Sequence, residues 1–260
     1  MNVLQNMMEL YNHLAPDSTY RYAINGIFMH LQEVSNSSIY DAVELTNTSR
    51  TTIWRMLQML GYENYSEFRV ALKQAVNNYT YYNRLTGEKE SDDSKIVARL
   101  CNQADISAAL IRNSLHAVEL RQMAQRVSIK KHIYFFFPYR SPAIYSFQQN
   151  LAMAGIRTDM YCLLSDMMKC LSDAEDNGLA FCSTIESTET LDMTQLFRAF
   201  KEKGVEVALF TPGRTRYEKY VDYQICKFDE SHGILPGMIL YDMYLYALSD
   251  IFRNNYLQEE

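Results

Sequence analysis

A chain of 260 residues, 48% apolar and 22% charged, can bury a sizeable core and is long enough for two modest domains. Its net charge of −6 excludes a basic body that coats nucleic acid without selectivity, so any affinity for DNA has to be local. No apolar run approaches the length of a membrane span, and MNVLQNMMEL lacks a basic region followed by an apolar core, so the chain reads as cytoplasmic with no membrane partner.

In chain order, Val3, Met7, Leu10, Tyr11 and Leu14 predict a first helix, and Ile24, Ile27, Phe28 and Leu31 a second. Ser38 and Asp41 have the Ser-x-x-Asp spacing of a capping box ahead of Ile39, Ala42 and Val43, so a third helix opens near Ser38. After Leu45 the run Thr46, Asn47, Thr48, Ser49 offers side chains to nearby backbone groups, which favours a turn and then a new N-cap. The fourth helix starts at Ser49 or Arg50. Its apolar residues Ile53, Met56, Leu57 and Leu60 form one buried stripe, and Gly61 stands where a left-handed C-cap is wanted.

The face left over on this fourth helix is Arg50, Thr51, Trp54, Arg55 and Gln58, with two cations and no carboxylate. That suits a helix lying in a major groove between phosphates, and it equally suits a surface helix of an all-α domain. Trp54 has two readings as well, contact with a thymine methyl or a sugar, or packing on a neighbouring helix or dimer mate.

The string Thr48-Ser49-Arg50-Thr51-Thr52-Ile53-Trp54-Arg55, then Leu60-Gly61-Tyr62, then Tyr65-x-x-Phe68-Arg69 resembles the N-terminal domain of RpiR-type transcriptional regulators. The resemblance implies a helix-turn-helix reader of double-stranded DNA, with Ser49, Arg50, Thr51, Thr52, Trp54, Arg55, Gln58 and Arg69 as the DNA-binding set. Lys73 and Arg21 are further cations for a local patch. So few phosphate contacts per chain bind weakly, whereas two copies on a two-fold operator roughly double the contacts, so a homodimer is expected.

Phe68, Leu72, Ala75 and Tyr79 mark a fifth helix. Residues 79–94 lose periodicity and become polar, which makes them the linker between a reader domain (1–78) and a second domain (95–260). Ile96, Leu100, Ile106, Leu110, Ile111 and Leu115 continue as a helical pair leading to Met123 and Val127. The period changes at residues 133–137, Ile-Tyr-Phe-Phe-Phe, a continuous apolar run of the kind buried on both faces of a parallel sheet. A helix then runs from Ser141-Pro142 to Ala154, followed by strands at 159–163 and 179–183, a helix at 189–203, and strands at 205–211 and 223–228. The expected fold is an α-helical helix-turn-helix domain followed by an α/β domain with a largely parallel sheet flanked by helices. The last helix carries Leu235, Met238, Ile239, Asp242, Leu245, Tyr246, Ser249 and Phe252 as its stripe, for closing the sheet domain or for a dimer interface. The five cysteines are odd in number, scattered and never in Cys-x-x-Cys pairs, so they read as reduced, mainly buried thiols with no zinc site.

In such sheets ligands sit beyond the carboxyl ends of strands. The two strand ends, residues 138–141 and 184–190, resemble the loops of the sugar isomerase (SIS) domain, the usual partner of the RpiR-type reader, whose amides and hydroxyls hold the phosphate of a phosphosugar. By register the resemblance implies ligand roles for Ser141, Ser187 and Thr190, with Thr188 replacing a glycine and Arg140 the nearby cation. Phe137 and Tyr139 stand where the family has glycines and would crowd the approach to a ligand, and Glu186 puts a carboxylate in the loop. Ser141 before Pro142 also has a wholly structural explanation as an N-cap. An isomerase would need a base, for which Glu186, Asp229, Glu230 and His232 are available, but none stands in a catalytic motif. The sequence therefore reads as a non-enzymatic regulator of carbohydrate genes, needing no cofactor, answering to a phosphosugar or using its second domain only to dimerise.

Overall fold

The structure is a computed structural model that describes residues 3–77, 92–137, 140–162, 177–184, 193–211, 213, 215–229 and 232–257. Two compact units emerge, residues 1–84 and the bulk of 85–260.

The first unit holds six helices, α1 (Val3–His13), α2 (Thr19–Met29), α3 (Leu31–Asn36), α4 (Ile39–Thr46), α5 (Arg50–Met59) and α6 (Tyr65–Asn77). Their apolar stripes meet in one core that includes Met7, Ile24, Ile27, Val34, Ile53, Met56, Leu57, Phe68 and Leu72. The predicted second helix is in fact two, because His30 leaves helical geometry (φ −129°, ψ 35°) and Leu31 begins α3. That bend lets Val34 reach the core and lets its carbonyl accept from the Tyr65 hydroxyl at 3.2 Å. Gly26 on α2 meets α4 closely: a Cβ there would lie 2.9 Å from the Thr46 Cα.

The second unit opens with α7 (Asp93–Ser114) and α8 (Ala117–Ser128). Then come β1 (His132–Phe136), α9 (Pro142–Met153), β2 (Arg157–Tyr161), β3 (Gly178–Ser183), α10 (Thr194–Glu202), β4 (Glu206–Phe210), β5 (Tyr223–Ile225) and α11 (Ile234–Tyr256). The five strands pair in the order β2-β1-β3-β4-β5, every pair parallel, with Phe136 opposite Cys182 and Leu209 opposite Cys182 from the other side. All of β1 and β3 is buried, as expected for strands covered on both faces. On one face Ile133, Phe135, Phe181 and Phe210 pack with α8, α9 and α11. On the other, Tyr134 and Phe136 meet Phe200 of α10 at ring separations of 6.0 and 5.1 Å.

Three expectations need correction. The strand predicted at 223–228 stops at Ile225 because Cys226 turns into the left-handed region at φ 50°. The last helix buries Leu240, Tyr241, Tyr244, Leu245, Leu248, Ser249 and Phe252, a face rotated from the predicted stripe, and leaves Tyr246 exposed. It packs against α7, α8 and α9 and so closes the sheet domain. Of the described cysteines Cys162 and Cys182 are buried and Cys226 is intermediate, and Cys101 departs from the expectation by being exposed, while Cys170 lies outside the described residues. Among the described residues no helix is long and apolar enough to cross a membrane.

Candidate functional sites

The geometry of α4 and α5 follows from local chemistry. The Ser38 hydroxyl accepts from the Asp41 amide at 3.3 Å while the Asp41 carboxylate accepts from the Ser38 amide at 2.9 Å, a complete capping box. The Ser38 hydroxyl, donating to the Asp41 carboxylate at 2.8 Å, and then the Ser38 amide hold the Asp41 carboxyl below its ordinary pKa. Asn47 ends α4 in the left-handed region (φ 47°), and Ser49 caps α5 by accepting from the Thr52 amide at 3.0 Å. At the far end the Tyr62 amide donates to the Leu57 carbonyl (2.9 Å) and the Gly61 amide to the Gln58 carbonyl (3.0 Å). With Gly61 at φ 85° this is a Schellman stop, which fixes where α5 ends. Both ends of the helix are therefore set by side chains and glycine within α4, α5 and their turn.

The expected DNA-binding residues divide by what they touch. Ser49 and Thr52 share a hydroxyl contact at 2.9 Å and serve the cap. Arg50 lies 4.9 Å above the Tyr40 ring, with its Nη1 donating to the Tyr40 hydroxyl at 3.4 Å. Arg69 is half-buried on α6 and donates to the Ser37 carbonyl at 3.4 Å, so it also braces the start of α4. Arg21 sits 4.3 Å over the Tyr11 ring and donates to the Leu14 carbonyl at 2.9 Å, a structural role. Thr51, Trp54, Arg55 and Gln58 are exposed, Trp54 at 46%. Arg55 has no hydrogen bond or ion pair among the described residues. Tyr40, missed in the sequence, is 62% exposed beside Arg50.

At the strand ends of the second unit, Ser141 is buried and caps α9, accepting from the Ala143 and Ile144 amides at 3.1 and 3.4 Å. Ser141 also acts on the Asp242 carboxyl of α11, which it draws downward in pKa. The two amides take up both lone pairs of the hydroxyl oxygen. Burial lifts the Asp242 carboxyl above its ordinary pKa, partly offset by Ser141, and its Oδ1 is buried with no hydrogen-bond partner among the described residues. The signal for this pair in the sequence was a carboxylate set in an apolar stripe. Arg140 is exposed and donates to the Tyr145 hydroxyl at 3.0 Å. Phe137 does not crowd the strand end: it is fully buried and packs on Phe210 at 5.6 Å, because the alternation of β1 turns it to the core. Two residues that sequence reasoning overlooked meet here, Thr184 after β3 donating to Thr211 after β4 at 2.9 Å. Tyr139, Glu186, Ser187, Thr188 and Thr190 lie outside the described residues, as does Glu230. His232 sits in a turn with its amide on the Asp229 carbonyl at 3.1 Å.

A cavity of about 660 Å³ lies between α8 and β5, lined among others by Glu119, Met123, Arg126, Gln224, Cys226 and Tyr244. Burial, with Glu119 nearby, pushes the Cys226 thiol up to about 12, which favours its protonated form at neutral pH.

No protein family profile and no curated protein matches the chain. Among solved structures it is similar to the Vibrio vulnificus NanR protein complexed with ManNAc-6P, at 15% identity over 96% of this chain and 92% of that one, with a TM-score of 0.46. A phosphoheptose isomerase from Francisella tularensis is 12% identical over 64% of this chain and 100% of that one, TM-score 0.46. The sugar isomerase domain of an RpiR transcription factor from Sphaerobacter thermophilus is 12% identical over 60% and 94%, TM-score 0.39. Values this low assign no family, and the functional reading rests on the chain's own residues.

Proposed function

We propose that this chain is a DNA-binding transcriptional regulator of carbohydrate genes, with no enzymatic activity. Its first unit carries a helix-turn-helix reader, α5 entering the major groove of a double-stranded operator. The observation that carries this reading is α5 itself. Its two ends are locked by the Ser49 cap and the Gly61 stop, its inner stripe is fully buried, and its outer face presents the uncommitted Arg55 beside Thr51, Trp54 and Gln58. A locked helix with an unpaired cation on its solvent face fits base and phosphate recognition better than packing. Dimerisation of the cytoplasmic protein supplies the second half-site. The test is selection of bound duplexes from a genomic fragment library with the full chain, followed by anisotropy titration.

In this proposal the second unit is an SIS-like effector and dimerisation domain, and a phosphorylated sugar that prefers one spacing of the two readers shifts operator affinity by its differential affinity for the two states. Arg140, beside the N-terminus of α9, is the cation that would face the phosphate. A second reading, a sheet domain that serves dimerisation alone, is favoured by Ser141, which is buried and whose hydroxyl oxygen is taken up by the α9 cap. A thermal-shift panel of phosphosugars separates the two, since a ligand at a hundred times its dissociation constant adds about 2.7 kcal/mol. No response to any phosphosugar leaves dimerisation as the role of the domain.

A further inference from the structure

Resting on the DNA-binding reading, we infer that α5 divides its work. Arg55 and Gln58, with Thr51, read a guanine and a nearby adenine in each half-site, while Arg50 is held off that face by Tyr40 as a phosphate contact.

The division comes from angles around the helix and from what each side chain touches. Successive residues of an α-helix are turned by about 100°, so Thr51, Gln58 and Arg55 fall within about 60° of one another, directly opposite the stripe of Ile53, Met56, Leu57 and Leu60. These are the side chains that point away from the core and into whatever α5 lies against. Arg50 falls on the flank, roughly 110° from the centre of that face. There the Tyr40 ring of α4 lies 4.9 Å beneath its guanidinium and the Tyr40 hydroxyl takes its Nη1. A guanidinium stacked on an aromatic ring keeps its N–H edges outward and loses little freedom when it meets a phosphate. Tyr40 is thus a positioning residue, acting through Arg50 from the other helix of the pair.

The readers' chemistry names the bases. An arginine pairs through two bonds with the O6 and N7 of guanine, and a glutamine with the N6 and N7 of adenine. Arg55 and Gln58 are three residues apart, about 4.5 Å along the axis, against a rise of 3.4 Å per base pair, so their bases are adjacent or one pair apart. Thr51 stands one turn before Arg55, with a methyl group suited to a thymine methyl.

The experiment selects duplexes from a random-sequence pool with the full chain, then repeats the selection and salt-dependent anisotropy with variants. R55A is expected to erase a guanine preference at one position of each half-site, by about tenfold or more, and Q58A an adenine preference one or two pairs away. Y40A and R50A are expected to weaken selected and scrambled duplexes equally and to lower the salt slope by about 0.9 per protomer, with Y40F retaining most of the wild-type slope. The division of labour is overturned if R50A erases a single base preference, or if Y40A leaves affinity and slope unchanged while R50A lowers both. A wild-type chain that enriches no duplex overturns the DNA-binding reading and this inference with it.

Discussion

Replacing Ser141 by alanine discriminates between its two roles, because the structural one has a large and specific cost. The hydroxyl closes two amides at the start of α9, and losing such a cap costs about 1 kcal/mol, up to about 2 where the site is buried. The same change removes the Ser141 influence that favours the partly buried Asp242 carboxylate, a penalty of about 1–3 kcal/mol. Together these predict a loss of about 2–5 kcal/mol confined to the second unit. Trp54 is the only tryptophan and lies in the first unit, so its fluorescence reports that unit while far-UV circular dichroism reports both. In urea, with a slope of about 1–3 kcal/mol/M, the dichroism transition of S141A should move down by about 1 M or more while the Trp54 transition stays in place. S141T, which keeps the hydroxyl, should recover most of the loss. A shift worth less than about 0.5 kcal/mol would refute the reasoning and return Ser141 to a ligand role.

Asp242 supplies a pH test whose sign is fixed by its raised pKa: the folded state favours its protonated form, so its burden on stability is present at neutral pH and lifts as pH falls toward the ordinary value of 3.8. D242N should therefore be more stable than wild type at pH 7, and the difference should shrink as the solution is acidified through the range just above 3.8; an undiminished difference contradicts the account. Gly61→Ala forces a Cβ into φ 85° and should lower the Trp54 transition by about 1 kcal/mol or more, whereas no change would mean that the α5 stop is not strained. Gly26→Ala puts a methyl 2.9 Å from the Thr46 backbone and should cost more than Gly61→Ala in the same assay, since α2 and α4 must part to admit it.

What the sequence disclosed follows the range of the interactions. The capping box at Ser38, the cap at Ser49 and the stop at Gly61 were legible because each bond closes within five residues. The buried strands β1 and β3 were legible because continuous apolar runs have few other uses. The break at His30 was not, since Phe28 and Leu31 keep a helical period straight across it. The face of α11 was misjudged because that helix is apolar nearly all round, and only its neighbours α7, α8 and α9 choose which side is buried. The same holds for the sites: Tyr40 beneath Arg50 and Asp242 beside Ser141 join residues 10 and 101 positions apart, and no spacing rule connects them.

In the proposed function α5 reads DNA through an outer face whose Arg55 has no hydrogen bond or ion pair among the described residues. Fluorescence anisotropy of the full chain on a duplex selected from genomic fragments, wild type against R55A, tests it most directly. Saturable, salt-sensitive binding is expected that weakens by roughly tenfold or more in R55A, with both urea transitions unmoved because Arg55 is exposed and makes no hydrogen bond or ion pair among the described residues. Equal affinity of the two proteins for the selected duplex, or no duplex bound by either, would contradict it.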